Sequence, residues 1–360
     1  LALRLKLAPL NRFLDDLFKR VVTMKTKTWQ FTEYGALPAA LNLVEQELPE
    51  PGPGEALIKV TAIGMNRSEF NYVQGKYAPA REFPSNLGQE VVGEIVALGP
   101  DGDKKPHSKT SLAIGARVAV TPGKVDMCGA GTYRDYGLYN QEALIPIPEG
   151  YSDEEAASLW MAVLTAGGCF NTANLTPENA AGKTVLVTAA SSSIGVLALK
   201  MAKAWGAKTI ATTRSSAKAA EIADIADHVV VCSNSDELGP QLTELGGFDV
   251  AIDPVGPAFI PAMVAAANFG AVIVSYEMIT GPQGEYSIPQ VLVKDLTLKG
   301  FALFNIFRHP GLCELLVDQG LHYADQIRPI IAKTIPLSAA DDALAELGES
   351  NHLGKFVLIP

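Results

Sequence analysis

The stretch from residue 184 to 276 constrains this chain most. Short apolar runs without polar alternation are separated there by segments of helical spacing. The runs are 184–190 (TVLVTAA), 209–213, 228–232, 249–253 and 271–276. After the first, Ile194, Leu197, Ala198, Met201 and Trp205 recur at helical intervals, and 217–226 reads as a further helix. A strand covered on both faces shows no alternation, and parallel sheets flanked by helices bury strands that way. The pattern predicts a doubly wound parallel α/β sheet.

The region before it differs. From residue 25 to about 148 the chain reads as short strands with turns. Residues 56–64 (ALIKVTAIG), 90–98 (EVVGEIVAL) and 116–120 are predicted strands, 50–54 (EPGPG) is a turn cluster and 101–111 a polar surface loop. Such glycine-rich β material suits a barrel-like domain. The character changes near Pro146-Ile147-Pro148. Ser152-Asp153-Glu154-Glu155 is a capping box that starts a helix at Asp153, and Thr176-Pro177 predicts a second helix start. Residues 1–22 stand apart, with leucines alternating with basic residues and amphipathic spacing from Leu10 on. Met24 looks like a natural start, so residues 1–23 read as an N-terminal extension, with a membrane-surface or partner helix as the alternative.

Composition excludes several function classes. Hydrophobic residues make up 48% and charged residues 19%, enough core material to exclude global disorder. With 29 Lys+Arg against 39 Asp+Glu the net charge is -10, which suits neither general nucleic-acid binding nor an anionic membrane surface. Cys128, Cys169, Cys232 and Cys313 lie far apart and form no CxxC. That spacing fits neither a disulfide framework nor a cysteine-rich zinc lobe, and it agrees with a reducing, cytoplasmic compartment. No apolar run approaches the roughly 20 residues that span a bilayer, so membrane insertion is not expected.

The first strand ends in Ala189-Ala190-Ser191-Ser192-Ser193-Ile194-Gly195 and a helix follows. Small residues at such a turn let the backbone approach a pyrophosphate, and the free N–H groups of the helix start bind its oxygens. The usual G-x-G-x-x-G is absent, and the serines add hydroxyl donors in its place. The end of the second strand selects the cofactor. An Asp or Glu there accepts from the adenosine ribose hydroxyls. This chain has Thr212-Thr213-Arg214-Ser215 instead, with Lys218 a turn later. Arg214 can fork onto a 2′-phosphate and Lys218 adds a second charge, which favours NADPH over NADH. Two basic residues at a helix start oppose the helix dipole, and a bound anion accounts for them.

At this point the sequence resembles the medium-chain dehydrogenase/reductase superfamily, and within it the zinc-independent, NADPH-dependent quinone oxidoreductases. The resemblance covers nearly all of residues 25–360. It rests on Asn66-Arg67-Ser68-Glu69, Gln74-Gly75-Lys76-Tyr77, Leu87-Gly88-Gln89-Glu90, Ala162-Val163-Leu164-Thr165-Ala166, Asp253-Pro254-Val255-Gly256 and Gly354-Lys355. It implies a GroES-like, β-rich catalytic domain from residues 24–150 and 300–360, and a Rossmann NADP-binding domain from 151–299. Cofactor and substrate are expected in the cleft between them, and a homodimer or homotetramer is usual. Zinc alcohol dehydrogenases of the superfamily use Cys, His and Cys at positions where Asn66, Gln89 and Met161 stand here. None of these is a first-choice zinc ligand. Without a Lewis acid, reduction of a polarised acceptor is easier to support than alcohol oxidation.

The resemblance implies the remaining roles. Tyr77 is the candidate proton donor, with a packed pocket aromatic as the plain alternative. Asn66 is expected at the nicotinamide ribose or the acceptor oxygen, or is simply a turn asparagine. Gln89 is expected at the substrate, or merely satisfies buried backbone. Thr165 is expected at the nicotinamide; Cys232 and Val255 flank the adenosine; Ser275 and Tyr276 end a strand at the ligand edge of the sheet; Phe301 and Leu303 pack near the nicotinamide. Lys355, charged beside apolar Phe356-Val357-Leu358, is expected to reach the cofactor. The expected function is hydride transfer from NADPH to a quinone or other conjugated enone without zinc. The alternatives are an enoyl-thioester reductase, with Arg308-His309 as a basic mouth, and a non-catalytic NADPH-binding structural or interaction protein.

Overall fold

The computed structural model describes residues 24–102, 105–349 and 351–360. The amphipathic segment expected at the N-terminus lies outside the described residues. Among the described residues sixteen strands run in chain order: β1 Met24–Phe31, β2 Asn42–Leu48, β3 Glu55–Gly64, β4 Ser85–Asn86, β5 Glu90–Leu98, β6 Arg117–Val120, β7 Tyr136–Asn140, β8 Leu144–Ile145, β9 Thr184–Val187, β10 Lys208–Thr213, β11 His228–Val231, β12 Val250–Asp253, β13 Val272–Ser275, β14 Thr297–Gly300, β15 Ile331–Pro336 and β16 Lys355–Ile359.

Strands β9 to β14 form one parallel sheet in the order β11-β10-β9-β12-β13-β14. The chain leaves β9 in one direction toward β11 and returns to continue through β12. The switch point between β9 and β12 opens a crevice at the carboxyl ends, where ligands bind in such sheets. A second sheet runs β15-β16-β3-β5-β6-β8, with β7 also paired to β3. It draws β15 and β16 from the end of the chain, and β16 lies antiparallel to β3. A third sheet, β2-β1-β4, packs beside it. This is a mixed α/β molecule of a GroES-like β-rich part and a Rossmann-type parallel sheet.

Local sequence explains the main elements. The helix Trp160–Thr172 is buried on all sides from Trp160 to Phe170, as its uninterrupted apolar run requires. It carries Met161 and Thr165 to the crevice. At the capping box Ser152 accepts from the Glu155 N–H while Glu155 accepts from the Ser152 N–H, at 3.2 and 2.9 Å. The helix expected after Thr176-Pro177 does not form. The Asn179 side chain accepts the Thr176 N–H and donates to the Asn174 carbonyl, which closes a turn instead. The first parallel strand also stops at Val187, three residues early, because Ala189 adopts φ 47°. The helix expected to residue 226 ends at Ile222. Among the described residues no helix is long and apolar enough to cross a membrane.

Candidate functional site

A cavity of about 780 Å³ lies between the carboxyl ends of the parallel strands and the edge of the β16-β3-β5 sheet. Its volume suits a dinucleotide with a small partner. Of the catalytic and cofactor-binding residues expected from the sequence, all but Ser275 line it; Arg308 and His309 lie in a separate cavity.

The serine turn forms one wall. Ala189 and Ala190 are fastened to the neighbouring strand: the Ala190 N–H donates to the Thr212 carbonyl at 2.9 Å and the Ala189 N–H to Thr212 Oγ1 at 3.3 Å. Ser192 caps the helix Ser193–Ala204, its Oγ accepting from the Gly195 N–H at 3.1 Å. A Cβ on Gly195 would stand 2.8 Å from Ala190 Cα and 2.9 Å from two carbonyl oxygens. Only glycine lets the helix start close on the turn, as phosphate approach requires. The Tyr276 phenol hydrogen-bonds Ser192.

Ser275 is a correction. It faces Asp253, which is fully buried and also accepts from Thr188 Oγ1 at 2.5 Å, Val255 N at 3.1 Å and Gly256 N at 2.9 Å. Ser275 therefore helps hold the Asp253 turn and is not among the residues that line the cavity. That turn presents Val255 to the cavity opposite Cys232.

A cationic corner follows β10. Thr213, Arg214, Ser215 and Lys218 line it, and Arg67 joins from the other side of the cleft. Burial pushes the Lys218 ammonium down, and Arg214 adds repulsion. Burial also lowers the Arg67 guanidinium, Glu277 opposes, and Arg214 adds to the lowering. Three positive groups thus converge on one corner, an arrangement that a phosphate dianion relieves. His352 borders the same corner. Burial, with Lys218 next, pushes its pKa to about 4, so the imidazole is neutral at neutral pH.

The other end of the cavity is more apolar. Phe301 packs its ring edge against Gly168, where a Cβ would meet Cζ at 2.3 Å, so the helix glycine makes room for this wall. Leu303 and Met65 continue it. Thr165 Oγ1 lies 3.9 Å from Met161 Sδ. Tyr77 is half-buried and its phenol is pushed up, by burial first, while a hydrogen bond with Gln89 opposes. Gln89 Nε2 donates in turn to Ser68 Oγ at 3.2 Å.

Two expected donors are turned inward. Asn66 Oδ1 accepts from Lys355 Nζ at 2.6 Å, and its Nδ2 donates to the Gly64 carbonyl and to Glu69 Oε1, each at 3.2 Å. Its amide therefore serves a buried network and is not a free donor to the cavity. Lys355 is 1% exposed, its Nζ 2.7 Å from Glu90 Oε2. It stands in the cavity wall with its charge directed away from any cofactor.

Among the described residues, the positions expected to hold zinc do not offer its usual donor set. The three candidate donors are two amides and a thioether. The nearby carboxylates are already taken: Glu90 by Lys355 and the Met161 N–H, Glu69 by the Asn66 N–H and amide. Sequence reasoning missed Arg67, Ser68, His352 and Glu277 as lining residues. Arg67 and Ser68 sit inside the Asn66–Glu69 motif and were within reach. Nothing local in the sequence marks His352 or Glu277.

Comparison with known proteins agrees with this geometry. Residues 52–183 match the alcohol dehydrogenase GroES-like domain, and residues 193–318 match the zinc-binding dehydrogenase family. The chain is 28% identical to an acryloyl-coenzyme A reductase of Metallosphaera sedula, over 87% of this chain and 95% of that one. It is 30% identical to prostaglandin reductase-3 of Mus musculus, over 75% and 70%. The quinone oxidoreductase from Thermus thermophilus, solved also with NADPH, superposes with a TM-score of 0.77 at 25% identity, covering 93% of this chain and all of that one. The chain belongs to the medium-chain dehydrogenase/reductase superfamily, in its quinone-oxidoreductase-like branch, and is an oxidoreductase of that family.

Proposed function

We propose that this protein is a zinc-independent, NADPH-dependent reductase of quinones or other conjugated enones. The observation that carries the reading is the cationic corner at the end of β10, where Arg214 and Lys218 stand with Arg67 and no carboxylate occupies the ribose-binding position. The relative solved with NADPH supports the same choice. The residues present fit the cofactor. Backbone N–H groups and hydroxyls of Ser191, Ser192 and Ser193 meet its pyrophosphate, Arg214 and Lys218 meet the 2′-phosphate, and Thr165 and Phe301 wall the nicotinamide end.

When bound, NADPH supplies a hydride. The chain's own residues orient and protect. Phe301, Leu303 and Met65 exclude water from the acceptor end, and this apolar wall suits a conjugated ring. Tyr77 keeps its proton on Oη through neutral pH because burial raises its pKa. It is the donor for negative charge that grows on an enone oxygen, whereas a quinone can take its protons from water. Residues 24–150 and 300–360 are assigned to the catalytic domain and 151–299 to the cofactor domain. The open edge of β14, beside exposed Ile288, Leu292 and Val293, supports pairing with a second copy.

An enoyl-thioester reductase is the second reading. It is favoured by a separate cavity of about 320 Å³ that shares Phe301 and holds Arg308 and His309, a basic seat for a phosphorylated tail. The deciding experiment is NADPH consumption with quinones, enones and enoyl-CoA esters in parallel, with metal content measured on the same sample. Turnover of quinones and enones by metal-free protein supports the first reading. Turnover confined to enoyl-CoA supports the second. NADPH binding without any turnover makes the protein a non-catalytic binder, and stoichiometric zinc overturns the metal-free chemistry.

A further inference from the structure

Among the described residues, the buried Lys355–Glu90 pair in the cavity wall is charge that the proposed chemistry does not use. Lys355 Nζ lies 2.7 Å from Glu90 Oε2 and 2.6 Å from Asn66 Oδ1, and both members of the pair have side chains 1% exposed. The other oxygen of Glu90 accepts from the Met161 N–H at 2.8 Å, at the first turn of the helix that presents Met161 and Thr165 to the cavity. Glu69, fully buried, closes the group by accepting from the Asn66 N–H and amide. Burial first, against the pull of Lys355, raises its pKa to about 8, so at neutral pH it keeps a proton beside the Lys355–Glu90 contact.

The strand that carries Lys355 also touches the serine turn. The Gly354 N–H donates to the Ser191 carbonyl at 2.9 Å, and Ser192 and Gly354 form an isolated parallel bridge. Gly354 has φ 91°, and a Cβ there would stand 2.2 Å from the Ile330 carbonyl. On the far side, a Cβ on Gly64 would meet the Ala157 carbonyl at 1.9 Å, Glu90 Oε2 at 2.8 Å and Lys355 Cε at 2.9 Å. Two glycines thus clear the space for this contact. One continuous set of bonds runs from the phosphate-binding turn, through Gly354 and Lys355, to Asn66 and to the start of the Met161 helix.

The geometry points to Lys355 as a positioning residue that couples occupancy of the serine turn to the placement of Asn66 and Met161 at the acceptor end. Its side chain acts through Glu90 and Asn66 and does not touch the ligand. A ligand that orders Ser191 and Ser192 thereby orders the floor on which the acceptor lies. The inference rests on the proposed dinucleotide reading and fails differently from it.

The test compares the unaltered protein with the double variant Glu90→Gln with Lys355→Met, which removes both buried charges together and strands neither. Hydrogen exchange is followed with and without saturating NADP⁺ at residues 191–195 and at residues 157–165. In the unaltered protein NADP⁺ slows exchange in both segments. In the double variant the serine turn stays protected, while the added protection at 157–165 falls about fivefold or more, the size of an ordinary coupling between sites. With 1,4-benzoquinone as probe, kcat falls about tenfold while the NADPH Kd stays within about twofold, the pattern of lost positioning. Equal protection of 157–165 in both proteins, or a weakened NADPH Kd with kcat unchanged, overturns the inference; the latter makes Lys355 a cofactor ligand. Asn66→Ala, which leaves the ion pair whole, is the second variant should the double variant not fold. It is expected to show the same split, and an unchanged kcat overturns the inference. Absence of protection at 191–195 in the unaltered protein overturns the dinucleotide reading, and this inference with it.

Discussion

Arg214→Ala is the perturbation that bears most directly on the cofactor. Arg214 is exposed at the end of β10, next to half-buried Lys218. A hydrogen bond from a charged donor contributes about 1.5–3 kcal/mol, and an exposed group falls at the low end because water screens it. At about 1.5–2 kcal/mol, with tenfold per 1.4 kcal/mol, the NADPH Kd rises about tenfold to thirtyfold. NADH has no 2′-phosphate, so its Kd changes by less than about twofold on the same scale. Lys218 remains and keeps part of the preference. Like-charge repulsion from Arg214 is one cause of its lowered pKa, so the variant also brings the Lys218 ammonium back toward its ordinary range. Equilibrium fluorescence titration with both nucleotides, at low and at physiological ionic strength, reads the result. The NADPH affinity of the variant should also depend less on salt, because one phosphate contact is gone. Equal weakening for NADPH and NADH would show that Arg214 holds no 2′-phosphate.

Two further predictions follow from the cavity. Tyr77→Phe should lower kcat for enones about tenfold to a hundredfold, in the range of a lost oxyanion donor, with little change for quinones, which take protons from water. Steady-state kinetics on both acceptor classes checks it, and equal turnover on both removes Tyr77 from the chemistry. His352 has its pKa lowered from 6.5 to about 4 in the folded protein, so the unfolded chain takes up that proton first. Its contribution to stability is therefore complete above about pH 6.5 and is lost as pH falls toward 4. His352→Gln should flatten this acid limb in urea unfolding measured across that window; an unchanged slope would contradict the burial of a neutral imidazole.

The linear pattern carried a great deal of this molecule. The apolar runs from residue 184 onward appear as five of the six parallel strands, with ends moved by one to three residues. Glu90–Leu98 appears as expected, because residue pattern alone sets a strand that lies against its neighbours. The turn at Thr176-Pro177 was misread because a local side-chain hydrogen bond, Asn179 reaching back to Asn174, competes with the helix start. Ser275 was misread for a related reason: its position at the strand end was correct, but Asp253 claims its hydroxyl. Neighbours in space decide where a side chain points, and sequence position does not.

The site divides along the same line. The serine turn and the basic residues after β10 were legible because a phosphate-binding strand–turn–helix is a local structure whose parts lie within some thirty residues. His352 and Glu277 carry no local mark and join the cavity only because the chain end returns to the β3 sheet and because β13 ends at the crevice. Lys355 could be singled out as an unusual charge among apolar residues, yet its direction depended on Glu90 and Asn66, which precede it by 265 and 289 residues. The sequence by itself determined the parallel sheet, the kind of nucleotide turn and the positive charge beside it. The tertiary structure alone decided which polar groups face the cavity and which face each other, because a buried charge goes where its partner is, and that partner is brought by the fold.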